Sequence, residues 1–151
     1  MTRWARGQAD IDELLQSRQL QQLAGGAADG EPLLEKSHRT LATAADIAAS
    51  DPDSAFVLAY DAARYAGIAL LAHQGLRPTT SGGHYAVEVA LRAQFGDGFR
   101  TFGALRRRRN ELEYPTNPAE TASETEATEA VSDARMLLDA AQQLLPSLGL
   151  Y

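Results

Sequence analysis

The sequence predicts an all-α protein, an up-and-down helical bundle of about six helices in one domain. Apolar residues recur at intervals of three and four in successive segments, the pattern of helices that bury one face. No stretch alternates polar and apolar residues for long enough to predict a strand. The length of 151 residues suits one domain with a sizeable core. Residues 1–151 are therefore interpreted as a single helical domain.

The first third of the chain contains two predicted helices. Residues 1–8 are expected to form a loosely ordered leader with Trp4 as its anchor. Apolar residues on one helix face predict a first helix over about 10–23, and glycines with a proline predict a loop over 24–32. Leucines and alanines that recur on one face predict a second helix over residues 33–49.

The third predicted helix, residues 54–75, is apolar nearly all round, which is typical of a central and buried helix. Asp51, followed by a proline, predicts its N-terminal cap. Two polar residues interrupt the helix. Asp61 and Arg64 lie three positions apart on one face, where they can pair with each other. The alternative is that either side chain reaches Arg109 or a ligand.

The second half of the chain predicts three more helices. Residues 76–83 are expected to be a flexible connection, followed by a fourth helix over 84–95. A fifth helix is predicted over 99–113, because Pro115 pushes the residue before it out of the α region. An asparagine–proline pair predicts the start of a sixth helix over 117–145.

Composition narrows the class of protein and its surroundings. No run of about 20 apolar residues free of charge predicts a membrane span, and the N-terminus lacks the apolar core of a signal peptide. The absence of cysteine excludes disulfides and thiolate metal sites and fits a cytoplasmic location. The net charge of −6 argues against sequence-blind nucleic-acid binding through bulk electrostatics.

The fifth predicted helix contains four consecutive arginines, one of which lies on its apolar face. Phe102, Leu105 and Leu112 form one apolar stripe on this helix. Arg109 lies about 40° from Leu105 around the axis, inside the stripe, whereas Arg107 points almost directly away. The other arginines of the run are interpreted as solvated charge. An arginine on a core-facing side needs a partner, because burying an unpaired charge is costly.

Arg109, Asn110 and Tyr114 therefore form the candidate site. A planar cationic fork, an amide and a phenol together suit a phosphate or the edge of a nucleobase, with Arg106 as a further nucleic-acid contact. These three residues are also the candidate catalytic residues. The alternative is a solvated basic helix end in which Arg109 pairs with a core carboxylate.

Other catalytic arrangements are missing from the sequence. It contains no phosphate-binding loop of the Walker type, no HExxH motif and no paired Glu-x-x-His motif. No serine has the setting of a nucleophile elbow. We therefore expect neither a metal nor a cofactor.

Two segments resemble the HEPN domains, small all-α proteins of higher eukaryotes and prokaryotes. One is AYDAARYAGIALLAHQGLRPTTSGGHY, residues 59–85, an alanine-rich helix that ends in glycine before a loop and a histidine. The other is LRRRRNELEYP, residues 105–115, at the place of the family's Arg-polar-x-x-x-His motif. The resemblance implies a HEPN-like bundle. It covers about residues 53–115 by motif and the remainder by helix pattern.

The resemblance also implies a function. Many HEPN proteins are metal-independent ribonucleases, often toxins paired with a nucleotidyltransferase antitoxin, and they act as dimers. By position, Arg109 takes the place of the motif arginine, Asn110 that of the polar residue, and Tyr114 that of the histidine. Tyrosine, with a pKa of about 10, is a poor base near neutral pH.

The predicted function is thus a homodimer that binds RNA or a nucleotide at an Arg109–Asn110–Tyr114 cleft. Its predicted activity is that of a weak or degenerate metal-independent ribonuclease of the toxin–antitoxin type. The alternative is a non-catalytic interaction module that docks a nucleotidyltransferase or a regulatory partner. No membrane association is expected.

Overall fold

Six α-helices and a two-stranded sheet form the part of the chain that the computed structural model describes, residues 3–151. The elements, in chain order, are α1 (Gln8–Gln16), β1 (Leu20–Gln22), α2 (Glu31–Ile47), α3 (Pro52–His73), β2 (Leu76–Pro78), α4 (Gly83–Phe95), α5 (Arg100–Glu113) and α6 (Glu124–Leu144). Short 3₁₀ turns lie at Gly25–Ala27, Gly96–Phe99 and Leu145–Ser147. The prediction of a mostly helical protein is confirmed.

Helix α3 is the centre of the fold. It packs against α2 and α6 along most of its length, and α4 and α5 also contact it. Its N-terminus is capped as predicted, because the Asp51 carboxylate accepts a hydrogen bond from the backbone N–H of Ser54 at 3.2 Å. Alanines on α3 let the neighbouring helices approach closely, and Ala59, Ala62 and Ala66 are fully buried.

Helix α3 also meets the length and composition of a membrane-crossing helix. An 18-residue window within Pro52–His73 has a mean hydropathy of 1.4, although Asp61 and Arg64 interrupt the apolar sequence of the helix. However, 67% of that window is buried inside the fold. This is weak evidence for a span, because the core helix of a soluble protein passes the same test.

The small sheet was not predicted. Strand β1 pairs antiparallel with β2, with Leu20 opposite Pro78 and Gln22 opposite Leu76. Three-residue strands are too short to show an alternation of period two, and the pairing joins segments far apart in sequence. The first helix consequently ends at Gln16 instead of about residue 23, and Arg18 adopts a left-handed conformation, with φ of 60°.

The predicted flexible connection over residues 76–83 is instead held in place. After β2, the Thr79 hydroxyl donates to the carbonyl oxygen of Arg18 at 2.6 Å, and the Thr79 N–H donates to that of Gln19 at 3.0 Å. Gly82 packs so closely against the carbonyl of Gln19 that a side chain there would collide with it. The loop before α4 therefore has a defined position.

The sixth helix begins later than predicted. Asn117 caps only a turn, in which its side chain accepts a hydrogen bond from the Ala119 N–H at 3.0 Å. Helix α6 begins after Ser123, whose hydroxyl accepts from the Glu126 N–H at 3.0 Å. The preceding segment docks on α3, because the Asp53 carboxylate accepts hydrogen bonds from the Ala122 N–H and the Thr121 hydroxyl.

The predicted leader, residues 1–8, lies partly outside the described residues. From residue 3 onward it is held more closely than expected. Trp4 is an anchor as predicted, because its indole N–H donates to the Gln94 carbonyl at 2.9 Å and its ring lies against Phe95. Gly7 is a second anchor, since its α-carbon packs directly against the backbone of Ala93.

Candidate functional site

The four arginines of α5 lie in four different environments. Arg106 donates from Nε to the buried carboxylate of Glu88 at 2.6 Å, and Arg107 lies 3.6 Å from the other oxygen of that carboxylate. The Arg107 side chain is 60% exposed, as its predicted orientation requires. Arg106 is half-buried and ion-paired, so its prediction as solvated charge was wrong.

Arg108 is bound by three carboxylates. Its guanidinium lies 3.1 Å from Glu111, 2.7 Å from Glu120 and 2.5 Å from Glu126. Hydrogen bonds to Glu126 and then to Glu120 hold the pKa of Arg108 above its ordinary value. The prediction of Arg108 as surface charge was therefore wrong. It ties α5 to α6 and to the segment between them.

Arg109 has no carboxylate partner in the described part of the chain, residues 3–151. None of the ion pairs among residues 3–151 includes it, so the alternative of a pair with a core carboxylate is wrong for the described chain. Its Nη1 atom donates to the Asn110 side-chain oxygen at 3.3 Å. Its Nε atom is buried and has no hydrogen-bond partner there. A buried guanidinium N–H without an acceptor is unusual in a folded protein.

Arg64 on α3 resembles Arg109 in its Nε atom, although it has a carboxylate partner. Its Nη2 atom lies 3.4 Å from the Asp61 carboxylate, as the spacing of the two residues predicts. Its guanidinium lies over the ring of Tyr65, 4.7 Å from the ring centre. The Nε atom of Arg64 is also buried without a partner within residues 3–151. Arg64 and Arg109 contain the two orphaned buried side-chain polar atoms found in that range.

A buried tyrosine and a half-buried histidine, Tyr60 and His84, belong to the same region as these arginines. The Tyr60 hydroxyl and the His84 Nδ1 atom are 2.8 Å apart, and the two rings stack with their centres 5.5 Å apart. Phe102 of α5 packs on the Tyr60 ring at 5.4 Å. The site therefore joins α3, α4 and α5.

Electrostatics connect the same residues. Burial raises the pKa of the Tyr60 hydroxyl above its ordinary value, against the opposing charge of the arginines. Burial also lowers the pKa of His84, and the positive charges of Arg64 and Arg109 lower it further. Both arginines are thus close enough to act on the tyrosine and the histidine. We call Tyr60, Asp61, Arg64, His84 and Arg109 the arginine–histidine site.

A pocket of about 190 Å³ opens beside this site. Arg64 and His84 form part of its wall, together with Thr79, Thr80 and Gly83 of the loop before α4. The hydrogen bonds that fix this loop to the segment after α1 therefore also fix one wall of the pocket. Its volume is small, enough for a phosphate group with part of its substituent.

Tyr114 lies elsewhere. Its side chain is 78% exposed and lines a separate pocket with Glu111, Thr116 and Glu120. Tyr114 ends α5 with φ of −128° and ψ of 63°, outside the helical region, as the following proline requires. Of the predicted cleft, the structure brings Arg109 and Asn110 together and leaves Tyr114 exposed on the surface.

The sequence prediction missed Tyr60 and left His84 without a role. A signal for Tyr60 was available, because it lies one helical turn before Arg64 on the same face of α3. Because the helix is apolar nearly all round, Tyr60 has the sequence pattern of an ordinary core residue. In the described residues, no group of three or more acidic or histidine side chains could hold a metal ion.

Comparisons with protein-family models, curated proteins and solved structures find no match for this chain.

Proposed function

We propose that this protein is a HEPN-like helical domain that binds RNA or a nucleotide through a phosphate at the arginine–histidine site. The observation that carries the proposal is the clustering of Arg64 and Arg109 with Tyr60 and His84, on which Asp61 is the one acidic group that acts within residues 3–151. The Nε atoms of both arginines are buried without an acceptor in that range. An unsatisfied buried polar group costs about 1–3 kcal/mol, more when it is charged. A phosphate oxygen is an acceptor that matches the planar fork of a guanidinium.

The local charge suits one phosphodiester. Arg64 and Arg109 contribute two positive charges and Asp61 one negative charge, which leaves a net charge of about +1 with His84 neutral. Arg106 adds little to this balance, because the buried Glu88 carboxylate matches it. With a net charge of −6 on the whole chain, binding would depend on this site and not on a general positive surface.

The proposal is supported by the way the two segments that resemble HEPN domains meet. Tyr60, Arg64 and His84 belong to the first segment, and Arg109 and Asn110 belong to the second. Their side chains come together although some 25 to 50 residues separate them in sequence. A homodimer paired with a nucleotidyltransferase antitoxin completes the proposal and derives from the resemblance, and the proposed cytoplasmic location derives from the absence of cysteine.

Metal-independent ribonuclease activity is the activity that the resemblance implies, in a weak or degenerate form. Cleavage of this kind needs a base that accepts the 2′-hydroxyl proton. Tyr114, at the position of the family histidine, is an exposed phenol that lines a different pocket. Binding is therefore better supported than cleavage.

The experiment compares the full chain with two arginine variants. Single-stranded RNA is incubated with each protein in a chelator, and both retention and cleavage are measured. Arg109→Ala is expected to weaken retention about tenfold or more, because it removes a charged donor. Arg107→Ala is the matched control, since that side chain is 60% exposed and is not part of the arginine–histidine site. Equal retention by all three proteins would reject the proposal.

The second candidate is a non-catalytic interaction module that docks a nucleotidyltransferase or a regulatory partner. The exposure of Tyr114 favours it, because an aromatic side chain that is 78% exposed is well placed to contact a protein. The carboxylates around Arg108 hold the nearby end of α5 in position. This candidate predicts no RNA retention by the parent protein, and loss of partner binding in Tyr114→Ala.

A further inference from the structure

The Tyr60 hydroxyl has one hydrogen-bond partner within residues 3–151. Tyr60 is 0% exposed, so no bulk water reaches it. Within residues 3–151 its hydroxyl makes one hydrogen bond, to Nδ1 of His84 at 2.8 Å. A buried hydroxyl that did not donate would leave its hydrogen unsatisfied, which is costly. Tyr60 is therefore the donor in this pair, and Nδ1 is the acceptor.

The direction of this hydrogen bond fixes the histidine tautomer. A neutral imidazole whose Nδ1 accepts a hydrogen bond bears its proton on Nε2. The opposite arrangement would place the proton on Nδ1 and leave Nε2 as an acceptor, but the Tyr60 hydroxyl hydrogen would then have no acceptor within residues 3–151. His84 thus presents an N–H group at Nε2, and this atom cannot accept a proton.

The Nε2 atom is the ring nitrogen of His84 that Tyr60 does not bind. His84 forms part of the pocket wall with Arg64. Its Nε2 atom has no hydrogen-bond partner within residues 3–151 and is not among the buried unpartnered atoms there. It is therefore an accessible donor beside two arginines whose Nε–H groups are also unpartnered. Arg64 and Arg109 both act on His84 electrostatically, so the three side chains belong to one cluster.

We infer that His84 is a neutral hydrogen-bond donor to a bound phosphate oxygen, and that Tyr60 is the positioning residue that sets its tautomer. This inference rests on the proposed function and deepens it. The site holds a phosphate group by two cationic forks and one neutral N–H. Because His84 Nε2 is already protonated, it does not serve as a general base, and the site binds RNA or a nucleotide without abstracting a proton through His84.

The surroundings of His84 are consistent with a neutral imidazole. Asp61 and Arg64 face it from α3, and Arg106 and Arg109 act on it from α5. Glu88 on its own helix is engaged by Arg106. Burial and the arginine charges outweigh the charge of Asp61, which itself pairs with Arg64, so the imidazole stays neutral at physiological pH.

The first test is nitrogen-15 NMR of the imidazole groups in the full chain near pH 7.5. A His84→Gln variant identifies the His84 signals against those of His38 and His73. The expected spectrum shows Nε2 protonated and Nδ1 unprotonated for His84. Tyr60→Phe should lose this single tautomer, because nothing then occupies Nδ1. A His84 that is protonated on Nδ1 would overturn the inference.

The second test uses inorganic phosphate and then single-stranded RNA as probes. Phosphate is expected to shift the His84 Nε2–H signal of the parent. RNA retention should fall about tenfold in His84→Ala and by less than about threefold in His84→Gln, because glutamine still offers an N–H donor near the place of Nε2. An unmoved signal, or equal losses in both variants, would overturn the donor role.

Cleavage separates this inference from the proposed function. Metal-independent RNA cleavage by the parent that disappears in His84→Gln would make His84 a base and overturn the inference, while RNA binding at the site would stand. Conversely, unchanged RNA retention in Arg109→Ala would reject the proposed function, whatever tautomer His84 adopts.

Discussion

Arg108 and Arg109 are neighbours in sequence with identical side chains, yet their environments are opposite. Arg108 is surrounded by three carboxylates that come from α5, from α6 and from the segment between them. Arg109 acts on Tyr60 of α3 and His84 of α4, has no carboxylate partner within residues 3–151, and has a buried Nε atom without an acceptor there. The contrast separates an arginine whose charge stabilises the fold from one whose charge is available to a ligand.

The same contrast holds between Arg106 and Arg64. Arg106 is matched by a buried carboxylate, Glu88, at 2.6 Å. Arg64 has a longer contact, 3.4 Å, to the more exposed Asp61. The number of positive charges therefore does not identify which arginines of α3 and α5 are available to a ligand. What distinguishes the site is which positive groups the fold leaves without a strong internal partner.

The largest expected effect on the free energy of unfolding comes from removing the carboxylate that pairs with Arg106. Glu88→Ala leaves Arg106 half-buried without its carboxylate, and we expect a loss of about 3 kcal/mol in the free energy of unfolding. Urea denaturation measures it. Glu113→Ala is the control, because that residue is exposed at the end of α5. A loss below about 0.5 kcal/mol in Glu88→Ala would mean that the ion pair contributes little.

The next prediction compares the two neighbours directly. Arg108→Ala should lower the free energy of unfolding by about 1–2 kcal/mol, because it leaves a cluster of carboxylates that repel one another. Arg109→Ala should change it by less than about 0.5 kcal/mol or raise it, since an orphaned buried N–H is removed. The two variants are compared by denaturation in the same buffer. The reverse order of the two effects would contradict the distinction between them.

The sequence predicted the central helix, its N-terminal cap and the apolar helix faces, because these depend on local periodicity and local capping groups. It also located Arg109 on a core-facing stripe. It did not foretell the carboxylates around Arg108, because Glu120 and Glu126 reach it through a turn and a late start of α6. Such contacts depend on tertiary packing, which periodicity does not encode.

The position of Tyr114 shows the same limit of prediction from sequence spacing. By spacing it belonged with Arg109 and Asn110. The proline after it ends the helix and turns the chain, and the phenol lies exposed. The residues that do join Arg109 come from α3 and α4, far away in sequence. Tyr60 in particular has the pattern of a core residue, and only its hydrogen bond to His84 sets it apart.

The smallest expected effect concerns pH. The pKa of His84 is lowered in the folded protein, chiefly by burial, so the unfolded state binds a proton more readily. Stability is therefore unaffected well above the ordinary histidine pKa of about 6.5, and falls as pH drops below it until His84 is protonated in the folded state too.

Denaturation of the parent and of His84→Gln between about pH 7.5 and pH 5 checks this dependence. The parent should lose more of its free energy of unfolding across that range than the variant, in which the titrating group is absent. Parallel curves for the two proteins would show that His84 titrates normally. That outcome would weaken the argument that the imidazole is neutral beside the arginines.

The most direct test of the central claim is whether a phosphate ligand stabilises the fold through Arg109. The free energy of unfolding is measured for the parent, Arg109→Ala and Arg107→Ala, with and without a single-stranded RNA oligonucleotide. At a concentration of about 100 times Kd, the ligand should stabilise the parent and Arg107→Ala by about 2.7 kcal/mol. Arg109→Ala, with binding weakened about tenfold or more, should gain about 1.4 kcal/mol or less. Equal stabilisation of all three proteins would contradict the account.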